Sequence, residues 1–420
     1  MSTPVQAPQM APQTPDTGLP GRQGGAQAAP QRLAHVDALR GFALFGILVV
    51  NIGVFASPFY ASGIPHPDFS RPQDHVVGWL VAWLFETKFY LLFSFLFGYS
   101  FHLQEQAAMR AGRSPVPRML RRHLALCALG LANAVFLFHG DILLTYGLLG
   151  LMLLAVRRWW SERQMAVVAC VLVLGTVLAW GLLGVLLAWA GMDADLQAAL
   201  QEAQRAEQAF RGPVASVIAQ RVMEWRNTVL LVLTLQAPSA FASMLLGYAA
   251  ARKGWLARTP PAARTVRGLA WAALLVGLPG ATAYALSSQM VYDSPWVLPG
   301  LALALLTSPF LSTGYALVLI RLLRGRAGTG LQAALAPAGR MALSNYLLQS
   351  LLCSFIFYGY GLGLMGRLPP LAVLGVAAAV FAAQCAASRW WLSQYAYGPV
   401  EWLLRAVTHA AWPRLKRSGT

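Results

Sequence analysis

Charged side chains are scarce in this chain. Only 11% of its 420 residues are Asp, Glu, Lys or Arg, whereas a soluble domain carries about 25%. A soluble fold of this length could not cover its surface with so few. Acids are rarer still, 15 against 32 basic residues. Cysteine is almost missing: Cys127, Cys170, Cys353 and Cys385 stand singly inside apolar runs, with no CxxC or Cys/His spacing. That pattern excludes a disulfide framework and a structural zinc site, and no metal site is expected. The four thiols read as small apolar packing residues.

Hydrophobic residues make up 57% of the chain, in long runs. Crossing roughly 30 Å of hydrocarbon takes about 20 apolar residues, and lipid leaves backbone N–H and C=O groups no partner but their own helix. The predicted fold is therefore all-α, a polytopic transmembrane bundle of about ten helices. The spans fall near 40–57, 77–103, 120–138, 141–156, 164–190, 229–251, 268–288, 298–320, 341–362 and 369–388. They belong to one transmembrane domain, 32–397. Residues 1–31, rich in Pro, Gln and Gly with little to bury, read as a disordered cytoplasmic tail. A cleaved signal peptide does not fit, because the first apolar run starts at Gly41 and belongs to a full span.

The net charge of +17 raises nucleic acid, but the basic residues sit in short clusters between the spans. That is a topology signal, and no nucleic-acid partner is expected. Alternate loops hold the clusters Arg110 to Arg122, Arg157 to Arg163, Arg252 to Arg267, Arg321 to Arg340 and Arg389 to Arg417. Arg71, Lys88, Arg205, Arg211, Arg221, Arg226 and Arg367 fall elsewhere. Both ends are thus expected on the cytoplasmic side of the membrane that the chain crosses. The loop 191–228, whose bases are balanced by Asp193, Asp195, Glu202, Glu207 and Glu224, reads as a solvated periplasmic lid. The tail 398–420 pairs Trp402, Leu403, Val407 and Trp412 with Arg405, Arg414 and Lys416, which suits a helix resting on anionic lipid headgroups. Oligomeric state is not legible.

Four acids lie in or beside the apolar runs: Asp37, Glu86, Asp141 and Glu401. Ionisable groups at membrane depth are costly, which makes them functional candidates. Asp37 and Arg40, three apart at the start of the first span, can pair on one helix face. They serve either as an interfacial anchor or as a polar corner for an anionic ligand. Glu86 and Lys88, two apart, point different ways on a helix, unless the chain breaks there and the true span starts near Thr87. They are candidates for a polar cavity lining. His139-Gly140-Asp141 caps the hairpin 120–156, whose arms of about 15 apolar residues reach only roughly 22 Å. The tip therefore lies below the outer surface, as a satisfied turn or as a proton-handling site. In the stretch after Arg340, Asn345 and Gln349 share a helix face that turns away from lipid, either as glue between helices or as part of a path.

Five stretches carry a resemblance: Asp37–Asn51 (DALRGFALFGILVVN), Lys88–Gly98 (KFYLLFSFLFG), Gly140–Gly150 (GDILLTYGLLG), Gly339–Gly366 and Gly398–Trp402 (GPVEW). Together they resemble the YeiB-like family of bacterial inner-membrane proteins with a domain of unknown function. That family is distantly similar to transmembrane acyltransferases, which share a D-x-x-R-G pattern at the first helix, here Asp37 to Gly41. The resemblance implies transfer of an acyl group from cytoplasmic acyl-CoA, the one cofactor-like substrate expected, to a hydroxyl or amine acceptor. A histidine would act as base; His139 and His75 are the candidates, with Asp141 beside the first. Arg40 and Arg340 would hold the CoA, and a small-molecule acceptor and membrane lipids would be the partners. The alternative is a transporter using Asp141, Glu86, Asn345 and Gln349 as a midplane path. No internal repeat supports it.

Overall fold

The computed structural model describes residues 33–192, 195–256, 263–290, 294–325 and 328–416. The tail 1–31 lies outside the described residues, as do Asp193, Arg258 and Arg417. The elements in chain order are α1 (Ala34–Ala56), α2 (Pro58–Ala61), α3 (Pro72–Leu84), α4 (Phe89–Arg110), α5 (Pro115–Phe136), α6 (Leu143–Val156), α7 (Glu162–Trp189), α8 (Leu196–Phe210) and α9 (Val214–Leu231). There follow α10 (Ala237–Arg252), α11 (Ala263–Ala272), α12 (Leu278–Met290), α13 (Val297–Leu323), α14 (Gly328–Arg340), α15 (Ala342–Phe357), α16 (Pro370–Gln394) and α17 (Pro399–His409). Among the described residues β-type pairing is confined to one bridge, Tyr395 with Lys416.

The chain is a multi-pass, all-α membrane protein. Seven segments have the length and hydropathy to cross a bilayer: 34–56, 72–110, 162–189, 214–252, 263–289, 297–323 and 370–394. Two shorter apolar helices, Leu143–Val156 and Ala342–Phe357, fill two more of the expected positions. The remaining expected span, 120–138, falls in α5, whose first turns carry Arg118, Arg121 and Arg122. The bundle faces lipid through residues such as Leu174, Leu178, Leu182 and Leu186 of α7, all exposed.

Proline shapes the long segments. Val232–Gln236 and Ala273–Gly277 are π-helical, and each is followed two residues later by a proline, Pro238 or Pro279. A proline ring collides with the carbonyl four residues back and removes a donor. Widening the preceding turn relieves both, so 214–252 and 263–289 stay continuous. Glycine sets the tightest crossings. A Cβ on Gly98 would collide with the Met244 carbonyl, and one on Gly247 with that of Phe95, so α4 and α10 touch backbone to backbone. Gly41 and Gly339 do the same for α1 and α14. Small residues at such crossings are how membrane helices gain packing where lipid removes the hydrophobic drive.

Two readings gain detail. The span placed at 77–103 is broken: α3 stops at Leu84, α4 starts at Phe89, and Thr87 between them has φ of 67°. The 191–228 lid is solvated on one face and docked on the other. Helices α8 and α9 bury Ala203, Ala206, Glu207, Phe210, Val217 and Arg221, because an apolar stripe at helical spacing docks on α2 and on the turn after α15.

Candidate functional site

The Arg-rich end gathers charge from four elements. Arg40 donates to Asp37 one turn earlier on α1 and to Ser100 Oγ on α4. Gly339 seats α14 against the Asp37 backbone, which brings Arg340 to the same corner. Glu401 on α17 accepts from the backbone N–H of Leu343 at 2.8 Å and of Ser344 at 3.1 Å, capping the start of α15. A carboxylate there meets free N–H groups and the positive end of the helix dipole. Burial nevertheless raises its pKa, against the pull of the Ser344 and Leu343 hydrogen bonds. Arg405, one turn on, lies over the Tyr397 ring at 4.4 Å.

Arg122 completes this group. The charges acting on it are Arg405, Glu401 and Arg40. It is half-buried, and among the described residues it has no hydrogen-bond or ion-pair partner. A guanidinium carries five N–H donors in a planar fork suited to phosphate. Here one lies near two further cations, with Glu401 the acid acting on it and Asp37 bound to Arg40. The surrounding field is positive as well: His409 at the end of α17 is held below its usual range by burial, then by Arg118, Arg405, Arg113 and Arg121. Sequence reading passed over Arg122 because it sits in a basic cluster that reads as a topology signal. Its place within α5, two residues inside the expected span, was the available clue.

The break before α4 is a second polar centre. Tyr60 and Tyr284 each donate to Glu86 at 2.6 Å. Lys88, fully buried, donates to the Ala82 carbonyl at 2.7 Å and lies 5.5 Å from the Tyr284 ring. Tyr315 donates to the Leu84 carbonyl, Ser312 to that of Lys88, and Thr87 pairs with Ser308 at 2.6 Å. The carbonyls freed by the break are thus answered by side chains, as membrane depth requires. A β-branched residue at positive φ costs on the order of 1–3 kcal/mol, and those bonds hold it there.

At the hairpin tip the two candidates part. Asp141 accepts from Asn133 Nδ2 and the Leu144 N–H, both at 2.8 Å, and from Tyr346 at 3.1 Å. It ties α5, α6 and α15 together. His139, buried, makes no hydrogen bond to it; its ring stacks on Phe210 of the lid at 6.2 Å, with Nδ1 unpartnered. His75 is exposed on the first turn of α3, and no contact joins it to either. The polar stripe on α15 is occupied by its neighbours. Asn345 donates to the Ala338 carbonyl and Ser388, while Gln349 donates to Gln384, which returns a bond to the Asn345 carbonyl. That is glue between α14, α15 and α16.

A fourth centre escaped the sequence. Glu105 accepts from Arg157 at 2.5 Å and from Tyr248 at 2.6 Å. Arg157 read as loop charge, and 52 residues separate the pair, so no local spacing betrays it.

No solved structure matches this chain. A family described as "Protein of unknown function (DUF418)" matches residues 250–411, which includes α17 and the glycine crossing of α14. The uncharacterized protein YxaH of Bacillus subtilis (strain 168) is 31% identical over 403 residues, covering 91% of this chain and 95% of that protein. The uncharacterized protein YeiB of Escherichia coli (strain K12) is 30% identical over 400 residues, covering 92% and 99%. At that identity, over nearly the whole of both relatives, the chain belongs to the YeiB-like DUF418 family.

Proposed function

We propose that this protein is an acyltransferase of the bacterial inner membrane, with both termini cytoplasmic, that takes its acyl group from cytoplasmic acyl-CoA. The observation that carries the reading is Arg122, which lacks a partner and lies close to Arg40 and Arg405. With Arg340 beside them, these side chains suit the phosphates of CoA, and an anion can reach them without crossing lipid. The acyl chain would then point into the bundle. An acceptor hydroxyl or amine attacks the thioester carbonyl, a C–O or C–N bond replaces the C–S bond, and the acceptor proton passes by way of a base to the CoA thiolate. His139 is the proposed base, since its Nδ1 is unpartnered on the acceptor side.

The test is acyl-CoA binding and slow hydrolysis by the purified chain. Arg122→Ala, Arg40→Ala and Arg340→Ala should each weaken binding roughly 10- to 150-fold, the worth of about 1.5–3 kcal/mol for one charged hydrogen bond. Absence of binding by the unaltered protein, or unchanged affinity in all three variants, sinks the reading. A second reading, a transporter of a small solute, draws support from the broken helix at 85–88, because interrupted helices near the midplane are how many transporters hold substrate. Solute uptake by proteoliposomes without acyl-CoA turnover would favour it.

A further inference from the structure

Beneath the lid lies a cation with no counter-charge. Arg221 of α9 is 0% exposed. Its guanidinium donates to the Phe136 carbonyl at 2.5 Å and to that of Val135 at 3.3 Å, reaches Tyr360 Oη at 3.5 Å, and lies 4.9 Å over the Tyr358 ring. Nε has no partner. No carboxylate comes within ion-pair distance of it among the described residues. Two acids of the lid are engaged elsewhere: Glu207 pairs with Arg211 and His66, and Glu224 with Gln220.

A buried ion is tolerated only when paired and fully hydrogen-bonded. The last carbonyls of α5 offset part of the charge, since a helix C-terminus carries roughly half a negative charge. The rest is uncompensated. One more buried polar atom lacks a partner in the same place, His139 Nδ1, and the Tyr358 hydroxyl has only the Arg221 guanidinium beside it. Arg221 is the charged group acting on His139, and it also acts on Tyr358. Phe210 joins the other two rings, stacked 6.2 Å from His139 and 5.0 Å from Tyr358. Three elements thus deliver polar groups without a counter-charge to one aromatic-walled spot: the lid helix, the hairpin tip and the turn after α15. A trapped water would satisfy hydrogen bonds but not the charge.

We propose that this spot encloses a single negative charge, either a small free anion or the carboxylate end of a larger ligand entering from the lid side. The proposal does not depend on acyl transfer. Arg221 binds the far end of α5 from Arg122, 14 residues or about 21 Å of helix away.

The experiment is thermal unfolding of the purified full chain, exchanged into sodium HEPES, whose bulky sulfonate carries no carboxylate, and titrated with chloride, bromide, formate or acetate at constant ionic strength. The expected result is a saturable rise in midpoint. A rise with the halides identifies a free ion; a rise with formate and acetate alone identifies the end of a carboxylate ligand. Arg221→Gln should abolish the saturable component. If that variant fails to accumulate folded, Tyr358→Phe, which removes one oxygen, should raise the half-saturating concentration about tenfold, the loss of one hydrogen bond to a charge. A flat midpoint with all four probes overturns the proposal. So does an unchanged titration in Arg221→Gln or, where that variant does not fold, in Tyr358→Phe.

Discussion

Asp141 and His139 stand two residues apart and do different work. Three donors converge on the Asp141 carboxylate, so an amide in its place turns an N–H toward a group that also donates. Asp141→Asn should cost on the order of 1.5–3 kcal/mol, one charged hydrogen bond, and lower the folded yield on size-exclusion chromatography. His139→Ala, which breaks no hydrogen bond to Asp141, should lower the yield less while abolishing acyl transfer. The reverse order would return Asp141 to the reacting groups. His66 on the lid side supplies a pH test. Burial lowers its pKa from 6.5, although Glu207 and Asp68 pull it up; Arg211 opposes protonation too. The neutral ring is the one the fold favours, so stability is full above about 6.5 and falls as pH drops below it. Cysteine labelling in α8 should therefore speed up on acidification from pH 7.5 to 5, and His66→Gln should flatten that response.

At the scale of elements, the backbone contact between α4 and α10 sets how near Tyr248 comes to Glu105. Gly247→Leu forces the two helices apart. Overpacking costs about 1–3 kcal/mol, and the Tyr248–Glu105–Arg157 cluster should open with it, read as faster labelling of a cysteine placed at buried Ala108 on α4. Unaltered folding in Gly247→Leu would show that the crossing is slack. The sequence made the spans legible because length and apolarity act locally. The α15 stripe was legible for the same reason: Asn345 and Gln349 repeat at helical spacing. The Glu105–Arg157 pair was not, since it joins helices distant in sequence. Nor was the burial of the lid, although Leu196, Leu200, Ala203, Ala206 and Phe210 recur every three or four residues. In a polar segment that stripe says a face will be covered, but not by what.

Over the whole molecule, basic residues crowd one end, and the lid, the hairpin tip and the 358–368 turn close the other. Reporters fused after residue 210 and at the C-terminus should report periplasm and cytoplasm respectively; a cytoplasmic signal at 210 would invert the arrangement. The lid is not an appendage. Helix α9 runs through the π-helical turn at Val232–Gln236 into α10, one segment of 39 residues, or about 58 Å. At its far end Arg252 pairs with Glu162 at 2.7 Å and Tyr248 reaches Glu105. The π turn lies near the middle, with no buried residue. The segment is therefore a lever whose fulcrum lies in lipid: a tilt of about 5° displaces each tip by about 2 Å at this length. Any tilt that moves the α9 end then moves the α10 end, with Arg252 and Tyr248, as well.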